Sequence, residues 1–315
     1  MDVWMLVKRI VLLWVIVGLI VALLGKVTVA QTNVGRTAAD FLLIGPGARA
    51  AGMGGAFTAV SNSSLASYWN PAGLAAVENG EALLSHFAWY QDMSLEYGVY
   101  AHKLSDAVSM AASITYLNYG TIDGYDVNGA ATGDINAYDL SGAFSVGYGF
   151  DDRFAAGATA KFVTQKLDDV NGSTFALDLG LKYDLPRLSF AAVLANVGPQ
   201  MDFDGVKEKL PTSGRLAAAF YPVEDWLLTS VELEKRFTGS TVLKQGAEFA
   251  YHDHYFLRTG FSYYPSDDAR SLGSGLNFGA GFKWSQTRID YAYSLGDDYT
   301  DEGLHRFTFV FTFGP

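Results

Sequence analysis

From residue 81 onward the chain alternates apolar and polar side chains with a period of two. Between Ser173 and Asp184, Phe175, Leu177, Leu179, Leu181 and Tyr183 share one face, while Thr174, Ala176, Asp178, Gly180 and Lys182 share the other. A strand divided in this way stands between an apolar medium and a polar one. The same division sets Tyr138, Leu140, Phe144, Val146, Tyr148 and Phe150 against Asp139, Ser141, Ser145 and Gly147. At the C-terminus Phe307, Phe309, Phe311 and Phe313 alternate with Arg306, Thr308, Val310 and Thr312. Segments of this kind fall at 81–90, 94–103, 107–117, 136–149, 153–165, 173–184, 188–196, 213–221, 226–236, 243–251, 254–263, 274–284, 287–294 and 304–313. They number fourteen, an even count, and each is near the 9 to 11 residues that a tilted strand needs to cross a bilayer. The pattern predicts an all-β fold, a transmembrane antiparallel β-barrel of about 14 strands. A soluble sandwich or propeller also has period-two strands, but it buries its apolar faces against one another and needs fewer faces this rich in rings.

The connections between these segments support the barrel. After even-numbered strands they are tight: 104–106, 151–152, 185–187, 222–225, 252–253 and 285–286. After odd-numbered strands most are longer, at 118–135, 166–172, 197–212, 237–242, 264–273 and 295–303, with only 91–93 short. Short turns on one side and long loops on the other are the outer-membrane arrangement. Pro186, Pro199, Pro211, Pro222 and Pro265 all fall between predicted strands, where a missing N–H breaks no ladder bond. Trp89, Tyr90, Tyr116, Tyr119, Tyr221, Trp226, Tyr263, Tyr264 and Trp284 lie near predicted strand ends, as interfacial girdles would.

Residues 1–30 have a different character. Lys8 and Arg9 precede an apolar run from Ile10 to Gly25, and Thr28, Val29 and Ala30 offer a cleavage site before Gln31. This reads as a signal peptide; an uncleaved membrane anchor is the other reading, and export follows from both. The expected organisation is a signal peptide at 1–30, an N-terminal plug at 31–80 and the barrel at 81–315.

Composition narrows the chemistry. The chain has no cysteine, which removes disulfides, thiolate metal sites, cysteine nucleophiles and lipoprotein anchoring. Its formal charge of -11 becomes -13 when the leader takes away Lys8, Arg9 and Lys26 together with Asp2. An acidic surface of this kind repels phosphates, so no nucleic-acid partner is expected.

The stretch from Phe41 to Ala75 shows no strand alternation and is rich in glycine and alanine. Within it, Gly47-Ala48-Arg49-Ala50-Ala51-Gly52-Met53-Gly54-Gly55-Ala56-Phe57-Thr58-Ala59-Val60 is followed by Tyr68-Trp69-Asn70-Pro71-Ala72-Gly73-Leu74-Ala75. These two runs closely resemble the opening of PorV/PorQ family outer-membrane proteins, which belong to the wider group of FadL-like barrels. The resemblance implies that this segment forms a plug, or hatch, with Asn70, Pro71, Ala72 and Gly73 matching the hatch motif. Gly52, Gly54 and Gly55 permit positive φ and close backbone approach, and Arg49 is placed to pair with lumenal carboxylates. A glycine-rich structural turn with no gating role is the alternative for Arg49, Gly52, Met53, Gly54, Gly55, Trp69 and the four residues that follow.

Alternation assigns Glu96, Asp139, Lys161, Asp178, Lys182, Arg215, Glu232, Glu234, Glu248, Lys283, Arg288 and Asp290 to the lumen, opposite the ring-bearing faces. Their mixed signs suggest a pairing network, with lining of a substrate path as the alternative. No catalytic residue, metal site or cofactor is expected. Gly45-Pro46-Gly47 and Gly52-Met53-Gly54-Gly55 lack the strand-loop-helix setting of a dinucleotide loop. His252 and His254 sit in a predicted turn without further ligands, and Asp297, Asp298, Asp301 and Glu302 depart from the EF-hand order. Two functions remain. The resemblance implies binding of type IX secretion components or secreted cargo in the outer membrane of a diderm bacterium. The wider barrel group implies passage of small hydrophobic ligands. Outer-membrane lipid is the surrounding partner in both.

Overall fold

A computed structural model of the protein describes residues 37–89, 92–223, 226–264, 275–295 and 303–314. The leader at 1–30, Tyr90, Pro265 and the acidic run 297–302 lie outside the described residues, as do most of the two last long loops. The strands are β1 (Gly80–Ala88), β2 (Ser94–Lys103), β3 (Val108–Asn118), β4 (Ile122–Tyr125), β5 (Ala131–Ile135), β6 (Ala137–Gly149), β7 (Phe154–Leu167), β8 (Val170–Leu185), β9 (Leu188–Val197), β10 (Met201–Phe203), β11 (Val206–Glu208), β12 (Ser213–Val223), β13 (Leu227–Arg236), β14 (Thr241–Tyr251), β15 (Tyr255–Tyr263), β16 (Gly275–Trp284), β17 (Thr287–Ser294) and β18 (Leu304–Phe313).

Fourteen of these close into one antiparallel barrel in the order β1-β18-β17-β16-β15-β14-β13-β12-β9-β8-β7-β6-β3-β2. The seam is a nine-pair register between β1 and β18, from Gly80 opposite Phe313 to Ala88 opposite His305. Closure leaves no edge, which is the condition for a sheet to sit in hydrocarbon. Phe175, Leu177, Leu179, Leu181, Phe307 and Phe309 all project outward and exposed, as the alternation requires. Tyr148, Tyr251, Tyr255 and Trp284 form an exposed ring belt at the short-turn end.

Several boundaries differ from the sequence expectation for identifiable reasons. The loop expected at 166–172 shrinks to two residues, because β7 and β8 stay paired as far as Leu167 opposite Val170. Thr164, Gln165, Lys166, Asn171 and Ser173 are polar on both faces there and mimic a loop. The long connections at 118–135 and 197–212 each contain a hairpin, β4–β5 and β10–β11. At the tip of the first, Asp126 accepts from Asn128 N and Ala130 N, and these donors hold its carboxyl below the usual range. Pro222 lies inside β12, not after it: the ladder shifts register between Phe220 and Val223, and a bulge needs no N–H from the proline.

Two outward or inward assignments are also corrected. Glu96 faces outward, where it pairs with His86 at 2.6 Å with both side chains 48% exposed, and Leu95, Tyr97 and Val99 take the inner face of β2. The misreading arises because β2 presents its larger apolar residues to the plug. Trp89, Tyr119 and Tyr221, expected in a girdle, are likewise packed inward against the core.

Two outcomes follow from this architecture. Leu179→Arg, on the outward face in the middle of β8, should destabilise the folded barrel in lipid vesicles by roughly 2–4 kcal/mol; an unchanged denaturant midpoint would mean that this face does not meet acyl chains. Gly260→Val, on the inner face of β15, should lower the unfolding temperature in detergent far more than Gly142→Val, since an added Cβ at Gly260 lands on the Met53–Gly54 peptide whereas Gly142 has open space around it.

Candidate functional site

The interior of the barrel is occupied by residues 38–79, a chain of short turns rather than one element. It contains a 3-10 turn at Asp40–Leu43, a single helical turn at Ala48–Gly52, another at Ala66–Trp69 and a 3-10 turn at Pro71–Ala76. Irregular backbone of this kind leaves many N–H groups without helical or strand partners, and buried amides must find others. The wall supplies them. Ala39 N donates to Gln165, Gly47 N to Ser85 Oγ, Ala48 N to Thr308 Oγ1, Thr58 N to Glu232 and Ser64 N to Glu81. In return Ser262 Oγ donates to Gly54 O.

The chain also lies unusually close to the sheet. Gly147, Gly157 and Gly180 are cross-strand neighbours on β6, β7 and β8, and a Cβ on any of them would strike the Asn70–Ala75 stretch. On the opposite wall, Gly246 and Gly260 are partners on β14 and β15, and a Cβ there would strike Met53 and Gly54. The interior segment is therefore held in two halves by two glycine patches. Sequence reasoning put Gly147 and Gly180 on the polar face but gave none of the five wall glycines a contact with the interior segment. The signal was present: each stands at an inward position of its strand, where polar side chains prevail.

Within the motif the residues have separate tasks. Asn70 is fully buried; its Oδ1 accepts from Ala72 N at 3.1 Å, and its Nδ2 donates to Thr58 O and, across to the wall, to Leu181 O. An asparagine cap followed by proline at the first helical position starts the turn at Pro71 with little conformational loss. Ala72 is buried in that turn, and Gly73 leaves room for Ser61 O. Trp69 joins the two halves: its Nε1 donates to Pro46 O at 3.0 Å, its ring meets Phe57 edge-on at 5.8 Å, and Gly45 fits beneath it. Met53 fills the gap between the turn and β14, while Gly54 and Gly55 carry positive φ of 62° and 73°. Gly52 touches Gly279 of β16.

The inward charges gather into clusters rather than a continuous path. Arg49 holds Glu248 with two hydrogen bonds, Nε at 2.9 Å and Nη2 at 2.7 Å. Glu248 is shared with Arg258, which reaches Asp290 at 2.8 Å, and Asp290 in turn is held by Arg288. A second cluster joins Glu232, Lys244, Glu234 and Arg236, with Lys244 at 5.6 Å and Arg215 at 5.9 Å from the Trp69 ring. A third pairs Lys161 with Asp178 at 2.6 Å and with Asn196 at 2.8 Å. Asp139 binds Gln165 and Tyr119, Lys182 pairs with Asp184, and Lys283 reaches Asp253 at the short-turn mouth. Arg258 and Lys244 escaped the sequence reading although both stand on inward faces.

Two cavities flank the interior segment and share no lining residue. One of about 240 Å³ opens toward the long loops and is lined by Ile44, Gly55, Trp69, Phe87, Lys244 and Arg306 among others. The other, about 560 Å³, opens toward the short turns beside Arg49, Leu65, Glu248, Phe256 and Arg288. Among the described residues no group of three or more His, Asp or Glu side chains is placed to hold a metal ion. His252 and His254 lie in the β14–β15 turn, where the His254 ring contacts the His252 carbonyl.

With this geometry in hand, comparisons with known proteins place the fold. The Pseudomonas putida toluene transporter TodX superposes with a TM-score of 0.60 at 15% identity, covering 86% of this chain and 99% of that one. The monoaromatic hydrocarbon channel CymD gives 0.65 at 13% identity, with 87% and 99% covered. A Pseudomonas aeruginosa FadL homologue gives 0.58 at 12%, with 85% and 98% covered. At these identities the likeness is one of fold, a FadL-like barrel. No curated protein matches by sequence. The family described as type IX secretion system protein PorV matches residues 27–239, more than half of the 315-residue chain, and the chain belongs to that family.

Proposed function

We propose that the protein is a non-enzymatic outer-membrane receptor that holds secreted clients or other type IX components at its long-loop end, with residues 31–80 acting as a closed hatch. Residues 1–30 serve as the cleaved leader, and residues 81–315 form the barrel in the outer membrane of a diderm bacterium. One observation carries this reading: the two cavities are separated by a segment whose backbone is hydrogen-bonded to the wall and pressed onto wall glycines. A segment so fixed seals the lumen, which leaves the loops as the working surface. Two hairpins, β4–β5 and β10–β11, extend that surface and expose Tyr125, Val127 and Val206. A second reading, passage of small hydrophobic molecules, is favoured by the partly aromatic long-loop cavity and by the similarity to a toluene transporter and a monoaromatic hydrocarbon channel.

Two measurements separate and test these readings. Pull-down of the tagged protein from outer membranes should recover secretion components or cargo, and deleting residues 122–135 should reduce that recovery without changing barrel stability; hydrophobic-ligand uptake lost on hatch substitution, with no recovered partner, would favour transport. The hatch itself should show a ranked response. Arg49→Leu removes two bonds to Glu248 and one to Asn62 but leaves Glu248 with Arg258, so a loss of roughly 1.5–3 kcal/mol is expected. Glu248→Leu leaves Arg49 without its carboxylate and Arg258 and Arg288 sharing Asp290, so roughly 3–5 kcal/mol is expected. Thermal unfolding in detergent reads both, and the reverse order would contradict the place of Glu248 as the carboxylate shared by Arg49 and Arg258.

A further inference from the structure

The hairpin β4–β5 stands apart from the rest of the long-loop end. Its counterpart β10–β11 is seated on the wall: Met201 is fully buried, and Met201 and Phe203 close over Gly172 of β8. β4–β5 has no such seat. Val127 at its tip is fully exposed, Tyr125 is exposed, and a Cβ on Gly129 or Gly133 would meet open space. A two-stranded sheet with nothing packed on it is marginally stable in water, and its outer edges carry backbone groups without ladder partners.

The two edges are not equivalent. Gly124 pairs with Gly133 and Tyr125 with Ala131, so the additional residue, Thr132, is on β5, where Gly133 has a φ of 103°. A bulge bends the strand that carries it and blunts its edge. β4 runs from Ile122 to Tyr125 without a bulge, a proline or a lysine, so its edge has none of the usual protections. The topology sets what lies beside it. β4 follows β3 and β5 leads into β6, while the other flank of β3 belongs to β2. β2 starts at Ser94, level with Asn118 at the end of β3, and only 89–93 connect it to β1. The neighbouring strand on that flank therefore ends below β4, and the edge of β4 rises above a short connection.

The charge of the hairpin specifies what fits there. Residues 119–136 contain Asp123, Asp126 and Asp134 and no Lys or Arg. Asp126 is used within the tip, where it accepts from Asn128 N and Ala130 N. Asp123 and Asp134 are direct cross-strand partners and both are exposed. Like charges directly opposite each other destabilise a sheet, and this sheet has little stability to spare. A cationic side chain on a third strand would lie beside both carboxylates and turn the repulsion into attraction. Tyr125 shares a face with Asp123 and offers its ring to the apolar stem of such a side chain.

We propose that β4 is a docking edge for an extended strand of a client protein, which pairs with Ile122–Tyr125 through its backbone and sets Lys or Arg side chains beside Asp123 and Asp134. A strand added to an open edge gains affinity from main-chain hydrogen bonds and selectivity from its alternate side chains. The inference rests on the reading that clients are held at the long-loop end, and it adds how such a client is gripped and what chemistry its strand carries.

The test uses the mature full-length protein in lipid nanodiscs and three short blocked peptides: one alternating lysine with valine, one alternating glutamate with valine, and the lysine peptide with every amide N-methylated. Titration calorimetry should show the lysine peptide binding about 5- to 10-fold tighter than the glutamate peptide, as a few exposed ion pairs allow. It should bind about 10- to 100-fold tighter than its N-methylated form, which keeps the charge but cannot donate to the edge. Hydrogen exchange should slow at Ile122–Tyr125 on binding and stay unchanged at β10–β11. Asp123→Asn with Asp134→Asn should abolish the preference for lysine over glutamate and leave the unfolding temperature of the barrel where it was, because the hairpin stands outside the closed sheet. Equal binding of the methylated peptide, no preference for lysine, or no slowing at β4 would overturn the proposal. So would tight calcium binding lost in the double variant, which would make a metal ion the occupant of the carboxylate pair. Clients recovered by pull-down undiminished by the double substitution would sink the docking edge and leave client binding standing; peptide binding as described with no client recovered would do the reverse.

Discussion

The structure depends on how the backbone of its interior segment is satisfied. A closed sheet in hydrocarbon completes its own ladder, but fourteen strands enclose more space than inward side chains can fill, since about eight strands already match that limit. The space is filled with irregular chain, whose amides have no ladder of their own. Wall hydroxyls of Ser85 and Thr308, carboxylates of Glu81 and Glu232 and the side-chain amide oxygen of Gln165 accept those amides. The polar half of each strand's alternation is thus the hydrogen-bond complement of the hatch, and the glycine patches bring the two surfaces within reach of each other.

The ion pairs belong to the same account. Burying charges carries a desolvation cost that pairing only partly recovers, so their value lies in fixing one arrangement. Among the described residues Arg49 is the single member of the interior segment that enters the wall clusters by a salt bridge, and it enters through a carboxylate already engaged by Arg258. Glu232 does the reverse, leaving the wall to accept Thr58 N while it also pairs with Lys244. These two charged contacts, through Glu248 and Glu232, are each tied to a second one within the wall. The position of the hatch is over-determined, and the fold has little freedom to slide it by a residue.

Much of this was legible in the sequence, and the remainder was hidden for physical reasons. The outward faces could be read directly, because lipid demands a nearly unbroken apolar stripe such as Phe175 to Tyr183. Inward faces are harder, since they contact a protein segment as well as water. On β2 the wall offers Leu95, Tyr97 and Val99 to the hatch, so its apolar face is the inner one and Glu96 was assigned to the wrong side. The β7–β8 extension and the two loop hairpins were missed because strands beyond the membrane lose the lipid stripe that makes strands visible. The motif from Gly47 to Ala75 lies in the segment that fills the barrel, but nothing in one sequence shows which wall glycines receive it. That information is a register, and register is set by pairing across strands distant in the chain.

The division of the hatch into two halves has a mechanical consequence. Gly52 to Gly54 belong to the wall formed by β14, β15 and β16, whereas Asn70 to Leu74 belong to β6, β7 and β8. Trp69 ties one half to the other through Pro46, Gly45 and Phe57, and the cations of Arg215 and Lys244 both lie within about 6 Å of its ring. Displacing either half separately would break its own glycine contacts and also pull on this indole. Because the halves are anchored to opposite walls, the same residues that plug the lumen brace the barrel across its width. A barrel braced in this way presents its loops from a stiff platform, and stiffness in the scaffold is what a surface built to hold other proteins requires.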